Sequence, residues 1–209
     1  MPDSREIFII AGELSGDLIA SMLIKRLRKL DPTLKISGLG GQKMADAGAV
    51  LLRNIVQDMA IIGFAEVVIK FRKIWRLHKE TVAYLAERRP SIVIFIDYPG
   101  FNLWVAQDAK RLGLKTVYYV CPQVWAWHRS RVAKIRKYID KALVILPFEE
   151  NFLRAEGIDA TFVGSPWLDA MILTMDRAGV IQHFGLDPAK KIIGLLPGSR
   201  RQPWRYSTV

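Results

Sequence analysis

Asp97 is the residue whose type and setting most readily suggest chemistry. It ends the apolar run Ile92–Ile96 and opens Asp97-Tyr98-Pro99-Gly100-Phe101-Asn102. A carboxylate at the rim of so apolar a strand is costly unless it is paired or used. Partial burial raises a carboxylate pKa, and a carboxylate tuned in that way can act as general base on an alcohol. The competing reading is structural: Asp97 caps the helix expected to start near Phe101.

Two glycine turns are further candidates. Gly12-Glu13-Leu14-Ser15-Gly16-Asp17 follows the apolar run Ile7–Ala11 and opens a helical pattern. Glycines let the backbone approach a ligand, and the free N–H groups of a helix start favour anions. The turn is not the dinucleotide fingerprint G-x-G-x-x-G, and Glu13 sets a negative charge in it. A sugar hydroxyl suits it better than a pyrophosphate. The plain alternative is a capped turn, with Ser15 as N-cap and Asp17 in the first turn, where the helix dipole favours an acid. Gly38-Leu39-Gly40-Gly41 reads equally as a ligand-contacting turn or a flexible one.

Trp125 and Trp127 stand two residues apart in a loop with Pro122 and Gln123. That arrangement suits stacking on a sugar or a base, and core packing is the alternative for either ring. Downstream lie Arg129, Arg131, Lys134, Arg136, Lys137 and Lys141, against the single acid Asp140. They form either a solvated helix face or a surface for anions or a membrane. These basic residues do not interleave with aromatics as in single-strand binders, so nucleic acid is not the expected partner. Residues 59–69, with Met59, Ile61, Ile62, Phe64, Val67 and Val68, are apolar on nearly every side, and Lys70, Arg72, Lys73 and Arg76 follow. A buried core helix and a lipid-chain site with a basic rim both fit this pattern.

Other classes are excluded. There is no D-x-D pair, no G-x-x-x-x-G-K-[ST] and no G-x-S-x-G. One cysteine, Cys121, makes no internal disulfide or thiolate cluster, and His78, His128 and His183 lack metal-ligand spacing, so no metal is expected. The longest apolar runs fall far below the roughly 18 residues of a membrane span, and the N-terminus does not read as a signal peptide. The expectation is a soluble cytosolic chain. With 31 Lys+Arg against 20 Asp+Glu in 209 residues, its formal charge of +11 favours phosphate, nucleic acid or an anionic membrane surface.

The elements that position these residues follow from periodicity. Strands are expected at Ile7–Ala11, Lys35–Leu39, Ser91–Asp97, Lys115–Val120, Ala142–Leu146, Thr161–Val163 and Ile192–Leu196, all Val/Ile-rich and short enough for buried parallel strands. Leu18, Ile19, Met22, Leu23, Leu27 and Leu30 recur at helical spacing, and 66–88 and 101–112 read as helices too. Strand–helix alternation gives an α/β, doubly wound parallel sheet of Rossmann type. Asp187-Pro188 opens a new unit. Its strand leads into Pro197-Gly198-Ser199-Arg200, a phosphate-type turn. The expected organisation is a first domain over 1–180 and the opening of a second over 181–209, the remainder of which is absent.

Taken together, Ala11–Asp17, Gly38–Met44, Gly63-Phe64-Ala65-Glu66-Val67, Asp97–Asn102, Tyr118–Trp127, Leu146–Glu149, Phe162–Pro166 and Leu195–Arg200 resemble the successive motifs of the lipid-A-disaccharide synthase family, in order. The likeness covers residues 6 to about 202, and Pro122-Gln123-Val124-Trp125-Ala126-Trp127 is its most specific run. The resemblance implies the N-terminal half of a two-Rossmann-domain, GT-B glycosyltransferase. Such an enzyme moves diacylglucosamine from UDP-2,3-diacylglucosamine to the primary hydroxyl of 2,3-diacylglucosamine 1-phosphate. The products are the β-1,6 lipid A disaccharide 1-phosphate and UDP. It implies inversion, no metal and no cofactor, and a peripheral site on the inner face of the bacterial cytoplasmic membrane.

By the same resemblance, Asp97 is the base, and Glu13, Ser15, Gly16, Asp17, Gly40, Gly41, Asn102, Gln123, Trp125, Trp127, Ser199 and Arg200 bind substrate. Met59, Ile61, Ile62, Phe64, Val67 and Val68 meet lipid. Cys121 stands where the family has serine, Ser165 where it has histidine or asparagine, and the sequence after Arg200 diverges. Little transferase activity is expected of the 209-residue chain alone. The alternatives are a non-catalytic membrane-surface lipid-binding fragment, another nucleotide-sugar transferase or epimerase, and, last, a nucleic-acid binder.

Overall fold

The computed structural model describes residues 5–56, 67–126, 129–171 and 174–195, with side chains from 72 onward in the second stretch. The chain divides into two units, Met1–Ala170 and Met171–Val209.

The first unit alternates strands and helices. In chain order these are β1 (Glu6–Ala11), α1 (Leu14–Leu30), β2 (Lys35–Gly40), α2 (Gln42–Asp46), β3 (Val50–Asn54), α3 (Val67–Arg88), β4 (Ile92–Ile96), α4 (Pro99–Arg111), β5 (Lys115–Tyr119), α5 (Arg131–Tyr138), β6 (Lys141–Val144), α6 (Pro147–Ala155), β7 (Ala160–Phe162) and α7 (Pro166–Ala170). The seven strands pair in the order β3-β2-β1-β4-β5-β6-β7, every pair parallel. This is the expected doubly wound α/β sheet.

The central strands are apolar throughout because both of their faces are covered. Phe8 and Ile10 of β1 join Val93, Phe95 and Tyr118 in a core under α4, α5 and α6. Ile7, Ile9 and Ala11 join Ile94 and Ile96 in a second core under α1, which contributes Ile19, Ala20 and Ile24. Full burial of each such isoleucine contributes roughly 1.5–3 kcal/mol.

The chain leaves β1 for β2 on one side and later returns to β4 on the other. The loops after β1 and β4 therefore diverge and open a crevice beyond the strands' carboxyl ends, the usual ligand position in this architecture. The register pairs Ala11 with Ile96 and Ile96 with Tyr119. Gly12, Asp97 and Val120 therefore follow side by side on three adjacent strands.

Three expectations are corrected. Val50–Asn54 forms an edge strand that the apolar pattern did not predict, because Val50 is exposed and only one side of β3 is paired. Ser15 does not cap α1; the N-cap is Glu13, with no side-chain capping bond, and Ser15 lies inside the first turn. In the second unit, Ile192–Leu195 is not a strand, and among the described residues no neighbouring strand there could pair with it. Leu196 lies outside the described residues. That unit's one described helix, α8 (Arg177–Phe184), is capped by Asp176, which accepts from the Gly179 amide at 2.8 Å, and none of its residues is buried.

Among the described residues, no helix is long and apolar enough to cross a membrane.

Candidate active site

A cleft of about 380 Å3 opens at the carboxyl edge of β1, β4 and β5. Ser15 and Ile19 line it from α1, and Asp97 and Pro99 from the turn after β4. The segment after β5 contributes Val120, Cys121, Pro122 and Gln123. Arg131, Ile145, Glu149 and Trp167 complete it.

The backbone that presents Asp97 is strained. Asp97 and Tyr98 have φ of 47° and 46°, and Val120 on the adjacent strand end has φ of 57°. All three are left-handed and none is glycine; for a β-branched valine this is rare. Each such residue costs of order 1–3 kcal/mol and persists only where its surroundings hold it.

Here the hold is visible. The Asp97 carbonyl accepts from Asn102 Nδ2 at 2.7 Å and from the Tyr118 hydroxyl at 2.6 Å, and Asn102 Nδ2 also reaches the Ile96 carbonyl at 3.2 Å. Both holding side chains are fully buried. Burial pushes the Tyr118 hydroxyl well above its usual range, with the nearby Cys121 thiol adding to the effect, so it stays a donor. The helix-capping account of Asp97 fails, because α4 is capped by Tyr98 with no side-chain capping bond.

The turn after β1 fits against the same segment. A Cβ on Gly12 would collide with the Tyr98 ring. Burial, and then the Glu13 charge, raise the Tyr98 pKa. Glu13 itself is half-buried and does not line the cleft.

The other expected ligand contacts divide. Ser15 and Gln123 line the cleft with Asp97. Gly16 is buried, and a Cβ there would touch Ala11. Asp17 is 2% exposed and accepts from the Gly41, Lys43 and Met44 amides at 2.8, 3.1 and 3.1 Å. Its buried carboxylate serves the amides at the start of α2. Gly40 and Gly41 are buried, and side chains there would press on Met44 and on that same carboxylate. Asn102 holds the backbone and does not face the cleft.

Trp125 is exposed at the surface and does not line the cleft. Its indole N–H donates to Glu149 Oε1 at 3.0 Å, and its ring meets Phe148 edge-on. Trp127, Ser199, Arg200, Met59, Ile61, Ile62 and Phe64 lie outside the described residues. Val67 and Val68 open α3, and their side chains also lie outside them.

Two cleft residues were not among the expected substrate contacts, although Arg131 belongs to the basic run and Glu149 ends the Leu146–Glu149 motif. Glu149 is 2% exposed, and its second oxygen accepts from the Leu146 amide at 3.1 Å, at the start of α6. Cys121 is no nucleophile at neutral pH, because burial, and then the Glu149 charge, push its thiol far up. Among the described residues, no three of His, Cys, Asp and Glu gather to hold a metal ion.

A parallel sheet of this order, with its cleft at the strands' carboxyl ends, is the Rossmann-like half of a GT-B-type fold. The UDP-N-acetylglucosamine 2-epimerase of Neisseria meningitidis, solved bound to UDP-GlcNAc, shares that fold with a TM-score of 0.57. It is 11% identical, over 86% of this chain and 54% of that one.

Sequence places the chain more narrowly. It belongs to the lipid-A-disaccharide synthetase family, whose model matches residues 7–208. It is 41% identical to the lipid-A-disaccharide synthase of Coxiella burnetii (strain Dugway 5J108-111), over 95% of this chain and 53% of that protein. It is also 41% identical to that of Geobacter metallireducens, over 95% and 51%. The chain thus spans about half the length of the curated relatives it matches.

Proposed function

We propose that this chain is the acceptor-side half of a lipid A glycosyltransferase, and that Asp97 is its general base. The donor is UDP-2,3-diacylglucosamine and the acceptor 2,3-diacylglucosamine 1-phosphate. Asp97 takes the proton of the acceptor's primary hydroxyl, and that oxygen attacks the anomeric carbon. The bond to UDP breaks with its electron pair leaving on UDP, and the configuration inverts. The first unit holds the acceptor and its acyl chains, and the second belongs to the nucleotide-sugar side, where Ser199 and Arg200 meet the leaving group.

The observation that carries this reading is Asp97 on a left-handed backbone at the cleft, held there by Asn102 and Tyr118. Ser15 and Gln123, which line the cleft with it, are its sugar-side neighbours in this reading, and Glu13, Trp125 and Trp127 contribute to substrate binding outside that lining. Asp17, Gly16, Gly40 and Gly41 support the turns beneath.

Placement at the inner face of the cytoplasmic membrane, with residues 59–68 toward lipid, draws support from α3. Arg72, Trp75, Arg76 and Lys79 share one exposed side at helical spacing, and the Lys79 ammonium lies 3.8 Å from the Trp75 ring centre. An aromatic among cations is an interfacial pattern. The same face favours a second reading, a non-catalytic lipid-binding fragment.

UDP release separates the two. The chain is joined to the C-terminal half of the Coxiella burnetii relative and assayed with both acylated substrates. We expect turnover that falls roughly 100- to 10,000-fold in Asp97→Asn, with vesicle binding unchanged. Equal turnover in that variant removes Asp97 as base, and vesicle binding with no turnover in either protein favours the second reading.

A further inference from the structure

The fold does not explain why Arg131 is half-buried in the cleft. It is the first residue of α5 and the one cation among the described residues lining the cavity that Asp97 faces. Other cations of the same basic run have partners at the surface. Arg129 pairs with Glu156 at 3.2 Å, Arg136 donates to the Glu156 carbonyl at 3.3 Å, and Lys141 pairs with Asp159 at 2.7 Å. Arg131 makes no hydrogen bond or ion pair with any described residue. Its charge is felt by the buried Tyr118 hydroxyl, which holds the Asp97 backbone.

Glu149, the second carboxylate of the cleft, forms no ion pair with it; its oxygens accept instead from the Trp125 indole and the Leu146 amide. A half-buried guanidinium with no direct hydrogen-bonding partner among the described residues is costly, and a bidentate phosphate offsets that cost.

We propose that Arg131 is the phosphate-binding residue of the acceptor subsite. It takes the anomeric phosphate of a glucosamine 1-phosphate while the primary hydroxyl at the other end of the sugar faces Asp97. This rests on the reading of Asp97 given above. The cleft then sets the sugar's direction by charge. A phosphate near Arg131 is attracted, whereas the reversed sugar sets the phosphate against Asp97 and is rejected. The residue therefore selects a phosphorylated acceptor over a free sugar. A nucleotide diphosphate offers the same chemistry, and the test must tell the two apart.

The full 209-residue chain is titrated calorimetrically with glucosamine 1-phosphate, glucosamine and UDP. We expect glucosamine 1-phosphate to bind at least tenfold more tightly than glucosamine. Arg131→Gln removes that advantage, Arg131→Lys keeps part of it, and neither changes UDP binding. Asp97→Asn leaves the glucosamine 1-phosphate affinity equal or tighter, since a repulsive charge is gone. Circular dichroism of each variant checks folding.

Equal binding by wild type and Arg131→Gln overturns the proposal. So does no binding of glucosamine 1-phosphate at millimolar concentration, or an Arg131 dependence confined to UDP. If binding depends on Arg131 while turnover ignores Asp97, only the base assignment falls. If turnover needs Asp97 while binding ignores Arg131, only the phosphate subsite falls.

Discussion

Asn102 Nδ2 donates to the Asp97 carbonyl at 2.7 Å across the turn from β4 into α4. The bond clamps a backbone that two successive left-handed residues would otherwise relax. Asn102→Ala removes the donor shared by the Ile96 and Asp97 carbonyls, of which Asp97 keeps the Tyr118 hydroxyl, with a cost of about 1–3 kcal/mol in a denaturant titration. Tyr118→Phe costs less, about 1 kcal/mol, because Asn102 still serves the Asp97 carbonyl. In the joined protein both variants should lose turnover beyond what instability explains. Full turnover in folded Asn102→Ala would mean that the clamp does not position the base.

Gly12 and Tyr98 form a close steric pair. Gly12→Ala drives a methyl into the Tyr98 ring, and overpacking of this kind costs about 1–3 kcal/mol. In Tyr98→Ala the ring is gone, so adding Gly12→Ala should cost almost nothing. A double-mutant cycle from thermal unfolding reads the coupling. Additive effects would place the strain elsewhere.

Asp17 tests whether the glycine turns are scaffold or ligand site. Its three amide bonds satisfy the open N–H groups at the start of α2, so Asp17→Ala should cost about 1–3 kcal/mol of stability. Asp17→Asn should cost less, since one amide oxygen still accepts. Glucosamine 1-phosphate affinity, measured where both variants are folded, should stay within twofold of wild type. A tenfold loss with stability intact would return Asp17 to the ligand.

These cases mark what was legible in the residues. Ile7–Ala11 and Ile92–Ile96 read as strands because a strand covered on both faces carries apolar side chains on both. Val50–Asn54 did not, because an edge strand needs no such excess. Ile192–Leu195 carries the apolar signal without a partner to pair with. Asp97 stood out because a lone acid after an apolar strand is visible in one dimension. The job of Asp17 was not, since its carboxylate crosses to amides 24–27 residues away. The left-handed pair Asp97-Tyr98 left no mark, because neither residue is a glycine. Arg131 and Glu149 became site residues only once the strand order brought their loops beside β4.

His78 supplies a pH test of the packing behind the site. Its ring, on α3, stacks on Trp104 of α4 with centroids 3.7 Å apart and planes 10° apart. Nε2 lies 3.0 Å from Asp108 Oδ2, without the alignment of a hydrogen bond, and Asp108 also pairs with Arg111 at 3.0 Å. Burial lowers the His78 pKa below 6.5, and the Asp108 carboxylate only partly opposes it. The folded protein therefore binds fewer protons than the unfolded chain in the window below pH 6.5. Stability from the neutral ring is complete above the unfolded pKa. It is lost as pH falls from 6.5 toward the folded value, and levels off below that value. Unfolding free energy should thus drop as pH falls below 6.5 in wild type, with a shallower slope in His78→Gln. The His78 ring resonance should titrate with a midpoint below 6.5; a midpoint above it would mean that Asp108 outweighs burial and that the His78–Asp108 pair strengthens in acid.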